Sequence, residues 1–154
     1  MLVVEWVLQA YLKSFRLFLR LFLVLFFLNN HLYAESLSLT DENTIKSVVK
    51  QQLEAFSNDD FETAYSFASP TIKKMFSSPE VFKKMVIGGY QAVYRPQSIK
   101  MGSVEIIKGV TTLKVYLVGP NGEFVTANYL MEKQENGEWL IGGCILSKAE
   151  SDEI

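Results

Sequence analysis

Past residue 40 the apolar positions first recur with a helical period and then, beyond Pro96, with a period of two. Ile45, Val48, Val49, Leu53 and Phe56 are spaced by threes, fours and sevens, so one stripe of a helix faces a core while Lys46, Lys50 and Glu54 face water. Thr40-Asp41-Glu42 opens this helix with a capping residue and two acids suited to the positive end of the helix dipole; residues 35–39 read as a linker. "SNDD" ends it. Asp60 caps a second, short helix whose Phe61, Ala64, Tyr65 and Ala68 share a face, and Ser69-Pro70 stops it. A further helical turn from Ile72 to Phe76 leads to Ser78, Pro79 and Glu80: a cap, a first helical residue and a first-turn charge. The third helix they start offers Val81, Phe82, Met85 and Val86 to the core and ends at Gly88-Gly89.

The period-two half contains four β segments. "SIKMGSVEII" and "TTLKVYLVG" are separated by Lys108-Gly109, "GPNG" turns the chain into "EFVTANYLMEK", and Asn136-Gly137 turns it again into "WLIGGCILS". In the third segment Ala127, Tyr129 and Met131 point one way, and Thr126, Asn128, Leu130 and Glu132 the other. In the fourth, Trp139, Ile141 and Ile145 share a face unless Gly142-Gly143 forms a bulge, which would swap the facing of Cys144 and all that follows. Helices first and hairpin-linked strands afterwards predict an α+β fold: three N-terminal helices packed on a curved antiparallel meander of about four strands.

The first 34 residues follow a different pattern. Lys13, Arg16 and Arg20 precede the apolar run "LFLVLFFL", then "NNHLYA" supplies a polar break and the small Ala34. That order predicts a secretory signal peptide over residues 1–34, cleaved after Ala34. Its alternative is an uncleaved anchor with Leu12 to Leu28 as a tilted helix, which would be the chain's only association with a membrane. Both readings export the domain, to the periplasm or beyond. The expected domain then covers residues 40–148, followed by a disordered acidic tail at 149–154.

Charge and composition narrow the chemistry. Loss of residues 1–34 removes three of the 15 basic residues and one of the 17 acidic ones, leaving 12 against 16. A mildly acidic domain whose lysine pairs, Lys73-Lys74 and Lys83-Lys84, read as solvated helix faces lacks the basic patch of a nucleic-acid binder. The lone Cys144 excludes an internal disulfide, and its apolar setting reads as a buried, inert thiol. His31, the lone histidine, lies in the signal segment, so a cleaved protein has none for a Ser-His-Asp or Cys-His catalytic set or for zinc. No metal and no cofactor are expected.

Several phrases are specific enough to carry a resemblance. "QLEAFSNDDFETAYSFASPTIKKMF", "SPEVFKKMVIGGYQAVYRP", "YLMEK" and "GEWLIGGCIL" resemble domain-of-unknown-function family 4864 (DUF4864), over Thr40 to Ser147. The order of elements resembles the nuclear transport factor 2-like superfamily of cone-shaped α+β domains. The family resemblance brings no assigned activity and no catalytic residue. The wider one implies a cavity between helices and sheet, used by isomerases, dehydratases and cyclases and also by noncatalytic binding and dimerisation modules.

For such a cavity, Tyr65, Tyr90, Tyr94 and Tyr129 are candidate lining residues, since a tyrosine joins a large apolar ring to a hydroxyl and suits a core edge or a ligand pocket. Arg95, alone among eleven lysines in the mature chain, has two readings: a pin at the helix-to-sheet corner, bound to backbone carbonyls or a helix acid, or an anchor for an anionic ligand. Asp59 and Asp60 read as end caps, and Glu123 and Glu132 as solvent-facing. The leading expectation is therefore a noncatalytic domain that binds a small apolar or amphipathic ligand or a protein partner, as a homodimer through the outer sheet face. The alternatives are a histidine-free isomerase- or dehydratase-like enzyme using a carboxylate and tyrosines, and a structural subunit of an envelope assembly.

Overall fold

A computed structural model describes residues 37–149. The expected signal or anchor at 1–34 and all but Ala149 of the expected tail lie outside the described residues. Among those described, no helix is long and apolar enough to cross a membrane.

The helical half comprises α1 (Leu39–Ser57), α2 (Phe61–Ser66), α3 (Pro70–Met75), α4 (Pro79–Gly89) and the single turn α5 (Gln91–Tyr94). The cap of α1 is Ser38, not Thr40: its Oγ accepts from the Asp41 backbone N–H at 3.0 Å and donates to the Asp41 carboxylate at 2.7 Å. Asp41 thus stands at the third helical position, where a carboxylate can close a reciprocal cap, and this places the helix start inside the expected linker. Asp60, Ser69 and Ser78 cap α2, α3 and α4 in turn, each accepting a backbone N–H. Ile45, Val49, Leu53 and Phe56 of the α1 stripe are buried, and each such side chain contributes about 1.5–3 kcal/mol of transfer free energy.

The sheet is an antiparallel meander, β1 (Ser98–Ile107), β2 (Val110–Val118), β3 (Phe124–Lys133) and β4 (Trp139–Lys148), in spatial order β1-β2-β3-β4. Its inward face is built from pairs such as Leu113 opposite Tyr129 and Val115 opposite Ala127, all buried against the helices. The β1–β2 turn has both Lys108 and Gly109 at positive φ, the mirror-image turn whose twist matches a hairpin.

Gly142-Gly143 does form a bulge. Leu130 pairs with Gly143 and Met131 with Ile141, leaving Gly142 as the extra residue. Facing therefore changes across it: Trp139 and Ile141 are inward before the bulge, Cys144 and Leu146 pack inward after it, and Ile145 turns out to 57% exposure. The unbulged alternative, with Ile145 sharing the inner face, is set aside by this register.

Asp41 also ties the two halves together. Its Oδ1 accepts from the Trp139 indole at 2.8 Å and lies 3.1 Å from the Lys133 ammonium. The Trp139, Ser38 and Lys133 hydrogen bonds, in that order, hold its carboxyl well below the ordinary aspartate value of 3.8. A depressed folded-state value stabilises the fold fully above the unfolded value, and the contribution drains away as pH falls below it. Asp41→Asn is therefore expected to lower the urea midpoint at pH 7, with the gap to wild type narrowing below pH 3.8. Equal gaps at pH 7 and pH 3 would remove Asp41 as the source.

Candidate functional site

β3 lies between β2 and β4, so its inward residues form the centre of the floor on which the helices rest. Residues 67–69 cover the edge of β4 only as far as Ile141: the Ser69 N–H donates to the Ile141 carbonyl and the Ile141 N–H to the Phe67 carbonyl, both at 2.9 Å. Beyond Ile141 that cover stops, and the bulged Gly142 and Gly143 lie under α3 and α4. A cavity of about 310 Å³ remains there. Phe56, Ile72, Phe82 and Val86 wall it from the helices, with Tyr129 and Cys144 from the sheet. Met75, 61% exposed, and Ile145 are also lining residues, and their exposure marks the mouth.

The wall contains no Asp, Glu, Lys, Arg or His, so its titratable groups are Tyr90, Tyr129 and Cys144. Burial, then the nearby Cys144, raises the Tyr90 phenol, whose hydroxyl donates to the Cys144 carbonyl at 3.1 Å. Burial pushes the half-buried Cys144 thiol up to about 12. Tyr129 is 1% exposed, and burial followed by Cys144 holds its phenol well above 10. All three are neutral donors at pH 7. Among the described residues, the Tyr129 hydroxyl is the one buried side-chain polar atom with no hydrogen-bond partner. Such a group costs about 1–3 kcal/mol when left unpaired, which makes it the chemically distinctive feature of the cavity. The arrangement can enclose an apolar body and donate a hydrogen bond to an acceptor carried on it. It presents no charged anchor and no proton acceptor matched to neutral pH.

The five candidate tyrosine and arginine positions separate into two places and a bystander. Tyr90 and Tyr129 line the cavity. Tyr65 stands outside the lining, its hydroxyl donating to the Phe76 carbonyl at 2.5 Å and its ring 5.5 Å from that of Phe82. Tyr94 and Arg95 sit at the corner between α1 and the sheet. The Arg95 guanidinium lies 3.8 Å over the Tyr94 ring, donates to the Phe56 carbonyl at 2.6 Å, and pairs with Asp59 at 2.7 Å. Tyr94 donates to the same Asp59 oxygen at 2.6 Å. Those bonds, Tyr94 first and Arg95 next, lower the Asp59 carboxyl. Asp59 is thus a corner partner, held at φ +57, and only Asp60 is a cap.

This is the pin geometry for Arg95, with a backbone carbonyl and a helix acid both engaged. Arg95→Lys keeps the charge and loses the fork and the stacking, so it is expected to cost about 1 kcal/mol, most of it from the Phe56 carbonyl bond because the half-exposed ion pair is screened. Ligand binding in the cavity should not change; a differential scanning melt alongside a binding isotherm tests both halves.

What sequence reasoning missed is the apolar part of the wall. Phe56, Ile72 and Val86 were legible as core, but nothing in an apolar residue type distinguishes a cavity wall from a filled core. Helices over an antiparallel meander, with an uncharged cavity between them, define an α+β domain of the cavity-bearing kind. The model of the family described as "Domain of unknown function (DUF4864)" matches residues 38–154, and the chain belongs to that family. No curated protein matches it. Among the described residues, no group of three or more His, Cys, Asp or Glu is placed to hold a metal ion.

Proposed function

We propose that this is an exported, noncatalytic binding domain that takes a small apolar or amphipathic molecule into the cavity between its helices and sheet. The observation that carries the reading is the uncharged cavity itself: about 310 Å³, at the lower end of ligand-site volumes, apolar in its wall apart from Gln52 and the two tyrosines, with a buried hydroxyl left over. The order of helices and meander around such a cavity supports membership of the nuclear transport factor 2-like superfamily. Export rests on the basic, apolar, polar, small order of residues 1–34.

An enzyme of the carboxylate-and-tyrosine kind would need an acid in the wall, and the carboxylates described above serve caps and corners. Binding of ethylnaphthalene, a neutral fluorescent hydrocarbon, tests the reading. Wild type should bind it, and Ala68→Leu, which adds three carbons to a lining position, should remain folded and bind at least about tenfold more weakly. Equal binding by both proteins would place the probe elsewhere and overturn the cavity as the binding site. Native mass spectrometry of the exported protein reports a retained molecule, the homodimer and signal cleavage in one measurement.

A further inference from the structure

The binding reading leaves the class of ligand open, and three observations narrow it. The cavity wall offers no cation, so an anionic headgroup inside would lose its water with nothing to offset the loss. It offers no anion either, and an ammonium would meet the same penalty. Of the two tyrosine hydroxyls in the wall, that of Tyr90 already donates to the Cys144 carbonyl, whereas that of Tyr129 donates to nothing. Tyr129 sits opposite Leu113 on one side and Cys144 on the other, in the middle of the inward sheet face. Tyr129 is 1% exposed whereas Met75 and Ile145 are open to solvent, so its side chain belongs to the buried floor of the cavity and theirs to the mouth.

We propose, resting on the binding reading above, that the ligand is an uncharged molecule with an apolar body and one hydrogen-bond acceptor of the carbonyl type, and that Tyr129 donates to that acceptor. A ketone, aldehyde or ester fits this description. The acceptor enters first and the apolar body fills the space toward α3 and α4. Selectivity comes from a buried donor that is satisfied by an acceptor and left unpaired by a hydrocarbon of the same shape. Carboxylates are rejected because no guanidinium or ammonium faces the cavity; Arg95, the natural candidate, is held at the corner by Asp59 and the Phe56 carbonyl.

Acetylnaphthalene, ethylnaphthalene and naphthoate, all substituted at the same ring position, separate the possibilities by equilibrium dialysis at pH 7. Wild type should bind acetylnaphthalene at least about tenfold more tightly than ethylnaphthalene, and naphthoate more weakly than either. In Tyr129→Phe the preference for the ketone should collapse to less than about twofold, with ethylnaphthalene binding retained as the internal control for folding. Three results would overturn the proposal, and they are distinguishable. Equal binding of ketone and hydrocarbon by wild type leaves the cavity reading intact and removes the donor role. Tightest binding of naphthoate replaces the neutral ligand class with an anionic one. Failure of all three probes to bind removes the cavity reading as well.

Discussion

Phe82→Ala is expected to lower the stability of the domain by about 3–5 kcal/mol, the usual range for deleting a buried phenylalanine. Phe82 is the meeting point of the aromatic residues in the helical layer. Its ring lies 6.1 Å from Phe56, nearly parallel, 5.5 Å from Tyr65 and 6.2 Å, edge on, from Phe76. Phe56 continues the chain of rings to Phe61, and Phe61 to Tyr94 at the corner. Truncation removes contacts with three rings at once, each worth about 0.5–1.5 kcal/mol beyond the area it buries. The space left behind merges with the existing cavity, because Phe82 is part of its wall. A urea titration followed by far-ultraviolet circular dichroism measures the loss. A loss under about 1 kcal/mol would mean that the helical layer closes over the gap, and the rings would then be filling and not framework.

Residue pattern and structure agree where periodicity is long and strong. The four β segments were legible to within a residue or so at each end, because alternation over nine or ten residues leaves little choice of register. Agreement weakens where two residues compete for one role. Ser38 and Thr40 are both good caps, and the pair of bonds between Ser38 and Asp41 decides for Ser38. α5 is a four-residue turn, too short for any period to show. The bulge at Gly142 could be suspected from the paired glycines, but its presence is decided by how β4 packs.

The candidate site divides along the same line. Tyr129 could be placed on the inward face by counting along β3, and Tyr90 by its position at the end of α4. The association of Asp59 with Tyr94 and Arg95 spans more than thirty residues and depends on α1 meeting the corner, which no local pattern encodes. Even so, "GGYQAVYRP" falls into parts with separate duties: Tyr90 in the cavity, Tyr94 and Arg95 on the corner.

Tyr129→Phe is expected to make the ligand-free protein more stable, by about 1–3 kcal/mol, the reverse of the usual effect of altering a core residue. The ring is retained, so packing against Leu113 and Ala127 on the sheet and the helices above is unchanged. What is lost is a hydroxyl that burial has stripped of water without giving it a partner. An unpaired hydroxyl in a core has a stability cost, and binding sites commonly show that trade. The gain should not vary between pH 5 and pH 8, because the Tyr129 phenol is held well above 10 and stays protonated across that window. Thermal melts of wild type and Tyr129→Phe, both stripped of bound molecules by unfolding and refolding, measure it. If Tyr129→Phe melts lower than wild type, the hydroxyl is hydrogen-bonded in solution and is part of the scaffold. If it melts higher and the ketone preference disappears with it, the instability and the selectivity share one atom, the oxygen of Tyr129.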